Sequence, residues 1–347
     1  MIFVDHVILA EVMHGILEEL KVSRESIHHL ISSLIQTSLR GVDSHGINLF
    51  PYYCHAIEAK RINKNPKMIF TPRGETVGVI DADHGFGHHA AAIAMDQAVI
   101  FAKSMGIGAV SIKNSTHFGA AAYFGLRAAN QDCIGFVFTN ADALVKVFGS
   151  NEAFLGTNPI CFTAPLEKEE PFCLDMATSI VSWNKIKNFQ RENKTIPINW
   201  AFDEHGKSVN DSNKARTLSP IGEYKGYGLG LMIDILCGIL AGSPIGKDIL
   251  PMFRYPLDAT KRYISHFVMA IYIGKFIETY RFKERLQENV DRLRNLKALQ
   301  QDEKVMVAGD PEKKHYSKRI NEGIPLDDIK YKEFLSLSVD FSKAVKK

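Results

Sequence analysis

Apolar positions recur at helical spacing near the N-terminus, as in LKVSRESIHHLISSLIQTSLR, and predict a helical layer over residues 1–65. Ser23 stands where it can cap the entering helix, and Glu25 falls in the first turn, where a carboxylate meets the positive end of the helix dipole. Over about 68–165 the texture changes to short apolar runs, TVGVI, IGAVSI and CIGFVF, alternating with alanine-rich stretches such as HHAAAIAMDQAVIFAKSM and GAAAYFGLRAAN. Strands alternating with helices are predicted there. PFCLDMA reads as a further strand, and the polar stretch NFQRENKTIPINWAFDEHGKSVNDSNKAR as loops crossing the surface. The strongest apolar run, LGLMIDILCGILAG at 229–242, contains Asp234 and is shorter than the roughly 20 residues needed to span hydrocarbon, so it is assigned to a buried helix. HFVMAIYIGKF has strand character, a charged amphipathic helix covers about 279–304, and a turn-rich helical tail follows. The reading is an α/β protein with helical additions, divided at 1–65, 66–220 and 221–347.

Composition narrows the function classes. In 347 residues, 42 Lys plus Arg face 39 Asp plus Glu for a net charge of +3, and 46% of positions are hydrophobic. Such a balance gives no phosphate-tracking or membrane-adsorbing surface, so neither nucleic acid nor membrane is expected as a partner. Five widely spaced cysteines without CxxC pairs point to a reducing compartment, and with no cleavable signal pattern in MIFVDHVILAEVMHGILEELK the cytoplasm is expected.

Several segments carry candidate chemistry. In LRGVDSHGINLFPYY, Ser44, His45, Tyr52 and Tyr53 cluster near a helix end, with Gly46 relieving crowding; His45 suits either a ligand contact or an ordinary helix-end imidazole. KNSTHFGAAAYFG places His117 at a strand-to-helix turn, where ligands often meet α/β sheets and an imidazole can exchange a proton with an alcohol or carbonyl oxygen. Asp142 in FTNADALVK is a candidate to orient that ring, with helix capping or solvent exposure equally open. DHGFGHHAA offers Asp83, His84, His88 and His89, but Gly85 and Gly87 argue against a helical metal site, and no metal is expected. GTNPICFTAP, with Thr157 and Asn158, reads as a ligand loop or a structural turn; DMATS and the Lys225 end of YKGYGLGLMIDIL could join it around an anionic group. GYGLG is not GxGxxG, and a conventional Rossmann domain is disfavoured.

Taken in order, RGVDSHGINLFPYY, STHFGAAAYF, GTNPICFTAP, DMATS, YKGYGLGLMIDILCGILAG, VMVAGDPEKK and NEGIPL resemble the malate/L-lactate dehydrogenase family, which also contains ureidoglycolate and sulfolactate dehydrogenases. The resemblance spans about residues 20–335. It implies an unusual non-Rossmann α/β fold, a homodimer, and interconversion of a small 2-hydroxy acid and 2-oxo acid using NAD or NADP, with NAD slightly preferred. On it His117 matches the catalytic acid/base, beside Asp142 as the candidate that orients it. Ser44, His45 and Tyr53 fall in substrate-lining motifs, and Ala141, Asp142, Asp175, Met176, Ala177, Lys225, Gly309 and Asp310 match positions around the nicotinamide cofactor or its supporting loops. The sequence departs from the family pattern twice. Leu49 stands where an arginine is usual for the substrate carboxylate, so Arg40, Lys113 or another subunit would have to replace that clamp. Asn184 stands at a common glycine on the cofactor side. These departures keep open a cyclic imine or other keto-acid reductase, or a noncatalytic nucleotide-binding homodimer.

Overall fold

The structure is a computed structural model and describes residues 1–300 and 303–346. The N-terminal layer is β1 (Ile2–Val4), α1 (His6–Glu19), α2 (Arg24–Leu39) and α3 (Phe50–Glu58). Then come β2 (Ile69–Pro72), β3 (Val77–Asp81), α4 (Gly87–Met105), β4 (Ile107–Ser115), α5 (Ala122–Ala129) and β5 (Cys133–Thr139). The middle of the chain forms β6 (Val145–Lys146), β7 (Ala153–Leu155), β8 (Ile160–Ala164), β9 (Phe172–Met176), α6 (Trp183–Arg191), β10 (Ala201–Phe202), β11 (Ser208–Val209) and β12 (Thr217–Leu218). The remainder is α7 (Tyr224–Asp234), β13 (Ile264–Tyr272), α8 (Thr279–Arg294), α9 (Asp310–Glu322), β14 (Ile324–Leu326) and α10 (Asp328–Leu337).

The helical layer forms because α1 and α2 each bury one apolar face, with Leu9, Met13, Leu17, Leu30 and Leu34 meeting Phe50, Phe334 and Phe341 in one cluster. Its two ends are joined where β1 pairs antiparallel with β14. Asp5 caps α1 by accepting from the amides of Val7 and Ile8. Ser23 does occupy the N-cap position of α2, but its hydroxyl donates to Ser26 Oγ instead of capping the helix.

The main sheet has the order β2-β3-β4-β13-β5-β8-β9. β13 comes from far along the chain and runs antiparallel to both neighbours, with Val268 opposite Val110 on one side and Val137 on the other. Side chains on β5 alternate as a two-sided strand requires. Val137 joins the cluster under α4 and α5, whereas Phe136 and Phe138 join the one under α7. The alanines of α4 permit a close approach: a Cβ on Gly108 would lie 2.2 Å from the Ala98 carbonyl oxygen.

A smaller sheet, β11-β10-β12-β6-β7, packs Val145, Leu155, Ala201 and Leu218 against Ile186 of α6. Two of its five strands, β10 and β11, arise from the polar stretch read as loops; strands of two residues leave no periodic signal. The apolar run 229–242 also differs from expectation. It forms the end of α7 and a π-helical turn, Ile235–Ile239, in which Ile233 and Cys237 are buried while Ile235, Ile239 and Leu240 are exposed. Apart from Asp234 the run is apolar all round, but only one face meets the sheet. Among the described residues, no helix is long and apolar enough to cross a membrane. The charged helix α8 stops at Arg294, ten residues earlier than its composition predicts.

Candidate active site

The site lies where β4 turns into α5. β13 closes the space beneath it, as the buried His266 sits 2.9 Å from Ser115 Oγ on β4 and 2.7 Å from Thr139 Oγ1 on β5. Phe118 stacks flat on the His266 ring at 4.4 Å, fixing the turn that carries His117. Gly119 follows with φ of 76°, which a glycine adopts without strain, and its amide donates to His117 Nδ1 at 3.3 Å. The Tyr53 hydroxyl, from α3, lies 2.8 Å from the same nitrogen. An amide can only donate, so this contact favours Nδ1 as an acceptor, with the proton of the neutral ring on Nε2. Burial, followed by the neighbouring His45, His88, Arg262 and His266, holds His117 well below the ordinary histidine range. Burial likewise raises Tyr53, keeping its hydroxyl protonated.

His45 stacks against His117 with centroids 5.7 Å apart, and its Nδ1 lies 2.8 Å from Ser44 Oγ. Gly46 is required beside them, since a Cβ there would fall 2.0 Å from Ser38 Oγ. Asn184, the residue at the usual glycine position, donates from Nδ2 to the Ser44 carbonyl at 3.4 Å and so ties α6 to this turn.

A cavity of about 1080 Å³ opens beside the pair. Ser44, His45, Asp175, Met176, Ala177 and Gly309 line it, joining candidates from three separate segments. Asp175 accepts from the Ala122 amide at the start of α5, at 2.8 Å. Its carboxylate reaches solvent in the cavity yet is surrounded by protein, and that enclosure, with nearby Glu312, pushes it up to about 6 against the amides of Ala122 and Ala121.

Other candidates sit elsewhere. Asp142 does not reach His117: its Oδ1 lies 2.5 Å from the guanidinium of Arg262, whose side chain is 3% exposed. The buried cation outcompetes a neutral ring for the carboxylate. Ala141 donates its amide to Asn158 Oδ1, and neither Ala141 nor Asp142 is on the cavity wall. Lys225 is exposed at the start of α7 and off that wall. Asp310 is also off the wall; it accepts from Arg294 and from the Val307 amide, shaping the 306–309 loop that does line the cavity. Leu49 is buried in the N-terminal apolar cluster. Of the substitute clamps, Arg40 lines the cavity paired with Glu170, while Lys113 faces Asp81.

His84 precedes α4 and cannot share a helical face with His88. Among the described residues, no group of three or more His, Cys, Asp or Glu is arranged to hold a metal. Sequence reasoning missed Arg262, which no motif marks and which only the placement of β13 brings to the site. It also missed the role of Asn158, whose amide donates to the Gly230 carbonyl and to Asp234, locking its loop to α7.

These features can be set beside known proteins. The malate dehydrogenase of Pyrococcus abyssi is 34% identical over 321 residues, covering 90% of this chain and 87% of that one. The ureidoglycolate dehydrogenase (NAD(+)) of Escherichia coli K12 is 30% identical over 335 residues, covering 91% and 95%. The crystal structure of malate dehydrogenase from Entamoeba histolytica superimposes with a TM-score of 0.92 at 30% identity, covering 98% of each chain. The sequence model of the malate/L-lactate dehydrogenases matches residues 4–334, and the chain belongs to that family, with its non-Rossmann α/β fold.

Proposed function

We propose that this protein is a nicotinamide-dependent dehydrogenase interconverting a small 2-hydroxy acid and its 2-oxo acid, with His117 as the acid/base. The observation that carries this is the Tyr53–His117–Gly119 arrangement, a neutral imidazole held at Nδ1 beside the wall formed by His45 and Gly119. The cavity fits a dinucleotide cofactor in size, and its wall of Asp175, Met176, Ala177 and Gly309 would hold one. When bound, the nicotinamide supplies or accepts hydride at substrate C2.

The chain's own part is proton handling. For reduction, the Nε2–H of His117 donates to the carbonyl oxygen; a proton taken up from solvent at Nδ1 makes the ring doubly protonated, and it then hands over the Nε2 proton, ending neutral with its proton on Nδ1. Oxidation is the reverse: from the Nδ1–H tautomer, Nε2 accepts the hydroxyl proton and the ring then returns its Nδ1 proton to solvent. Burial and neighbouring positive groups keep the doubly protonated ring scarce at neutral pH, so acid favours reduction.

The wall also supports NAD over NADP. Its arginines, Arg40 and Arg127, are already paired with Glu170 and Asp96, and Glu170, Asp175 and Glu312 oppose a further phosphate. A homodimer belongs to the same proposal; the exposed Ile235, Ile239 and Leu240 offer an apolar surface, and sedimentation velocity measures the assembly.

The test is turnover of NAD(H) and NADP(H) with malate/oxaloacetate, lactate/pyruvate, ureidoglycolate, sulfolactate and cyclic imines. A hydroxy or oxo acid should change the nicotinamide absorbance, and His117→Ala should cut the rate by about 10²–10⁴-fold. Dinucleotide binding without turnover of any acid, or an undiminished His117→Ala rate, overturns the proposal; turnover of imines alone selects the reductase alternative.

A further inference from the structure

The paired histidines of DHGFGHHAA have no part in the chemistry described so far, and the structure separates them. His89 turns toward α2, its Nδ1 3.1 Å from Ser26 Oγ. His88, in the first turn of α4, has no accessible surface and lies beneath the candidate active site. Its ring meets Tyr53 edge-on, with centroids 5.1 Å apart, and its Nε2 is 3.5 Å from the Tyr53 hydroxyl. It also presses against the turn that bears His117, for a Cβ on Gly119 would lie 2.9 Å from His88 Nε2. His88 Nδ1 is buried with no hydrogen-bond partner among the described residues.

Those contacts form a chain of three groups, His88 Nε2, Tyr53 Oη and His117 Nδ1, which can be hydrogen-bonded in either direction. In one, His88 donates to Tyr53, Tyr53 donates to His117 Nδ1, and His117 keeps its proton on Nε2. In the other, His117 Nδ1–H donates to Tyr53, Tyr53 donates to His88, and His88 must carry its proton on the partnerless Nδ1. The second direction buries an unsatisfied N–H, which is rarer in proteins than an unsatisfied acceptor. It also turns an N–H of His117 toward the amide N–H of Gly119. Both ends of the chain therefore select the first direction. Burial, with His266 and His29 nearby, pushes His88 down to about 3, so at neutral pH it has one N–H and one lone pair, as this requires.

We propose that His88 is a positioning residue that, by donating through Tyr53, fixes His117 in the Nε2–H tautomer, so that the resting site presents a donor to a carbonyl oxygen. The inference rests on His117 being the acid/base. It deepens that reading by assigning the oxo acid, not the hydroxy acid, as the partner that the resting ring is preset to meet.

The tautomer can be read without turnover, from ring-nitrogen NMR of the full chain labelled with 15N-histidine, His117→Ala identifying the signals. In the parent protein, His117 should show an unprotonated Nδ1 and a protonated Nε2. His88→Leu should shift both signals toward a tautomer mixture, whereas His88→Gln, whose amide can still donate to Tyr53, should restore the parent pattern. In a Tyr53→Phe background, His88→Leu should have no further effect, which separates this role from simple packing. For whichever oxo acid is turned over, His88→Leu should lower reductive kcat/KM about tenfold, as for one misdirected hydrogen bond, and oxidation less. A protonated Nδ1 in the parent protein, or His117 signals unchanged in a folded His88→Leu, overturns the inference even if turnover is found. The expected shifts without turnover uphold the tautomer control and instead count against the catalytic reading. If His88→Leu does not fold, His88→Met, which likewise has no donor for Tyr53, takes its place and must move the same signals.

Discussion

The pairing of Asp142 with Arg262, in place of His117, makes a prediction with a definite size. The two side chains are 16% and 3% exposed and 2.5 Å apart. Removing one partner of a buried pair costs about 3–5 kcal/mol because the other charge is left without compensation. Arg262 retains a bond from Nε to the Leu250 carbonyl at 2.8 Å, and Asp142 has some contact with solvent, so Asp142→Ala should fall near the lower end, about 3 kcal/mol. At about 2.1 cal/mol/K per residue, a chain of this length should lose about 4 °C in Tm. Asp142→Asn keeps an acceptor and should cost about half as much. Because the charge of Arg262 already opposes protonation of His117, unmasking it should also lower reductive turnover, whereas Arg262→Met with Asp142→Ala should restore part of both losses. The assays are thermal melting and a double-mutant cycle. An Asp142→Ala protein that melts like the parent but has lost all turnover would refute this assignment, because that is how a direct partner of His117 would behave.

Three further outcomes are expected. His29, His88 and His266 are lowered to about 4, 3 and 3, each chiefly by burial, so the unfolded chain binds protons near the ordinary pKa of 6.5 that the folded chain refuses. Stability should therefore fall as the pH drops below that value, with a limiting slope of about 4 kcal/mol per pH unit for three groups; denaturant midpoints that stay flat from about pH 7 to about pH 5 would contradict it. Glu169 is lowered to about 2, first by its bonds from Arg294, in a cluster with Lys313 that joins α8 to α9 below the 306–309 loop. A carboxylate depressed from 4.5 contributes stability above that value and loses it as pH falls toward 2; Arg294→Met should remove this acid limb and weaken dinucleotide binding, as followed by fluorescence titration. Gly119→Ala should strain the backbone by about 1–2 kcal/mol and press on His88, reducing turnover far more than Gly149→Ala, whose φ is similarly positive but whose surroundings are open.

How much the sequence disclosed depends on how local each feature is. Ser44, His45, His117 and Asp175 belong to short segments whose motif and element boundary coincide, and the structure brings them around one cavity or its edge. The partner of Asp142 was not legible, because Arg262 is 120 residues away and arrives through a strand pairing that no periodicity records. The apolar run 229–242 is assigned by composition, which says that a helix is apolar but not which face the sheet will cover, and Lys225 by its place at the mouth of that helix, which does not say which way the helix end faces. The metal-like spacing of His84 and His88 failed for a backbone reason: His84, at φ 56°, lies outside α4. Leu49 was visible from the outset as a missing arginine, whereas its burial in the N-terminal cluster required the tertiary packing.

The central position of β13 also governs the order in which the protein can be made. β4 and β5 are successive strands, parallel to each other and linked by α5, yet they never pair; the slot between them is filled by residues 264–272. A chain emerging from the ribosome therefore carries two open sheet edges and a half-built turn around His117 until β13 has been synthesised. His266 arrives on that late strand, so the floor beneath His117 closes in the same step as the sheet. Truncation before residue 264 should leave an aggregation-prone fragment, and a nascent chain should gain protease resistance abruptly once β13 has cleared the exit tunnel, not gradually with length.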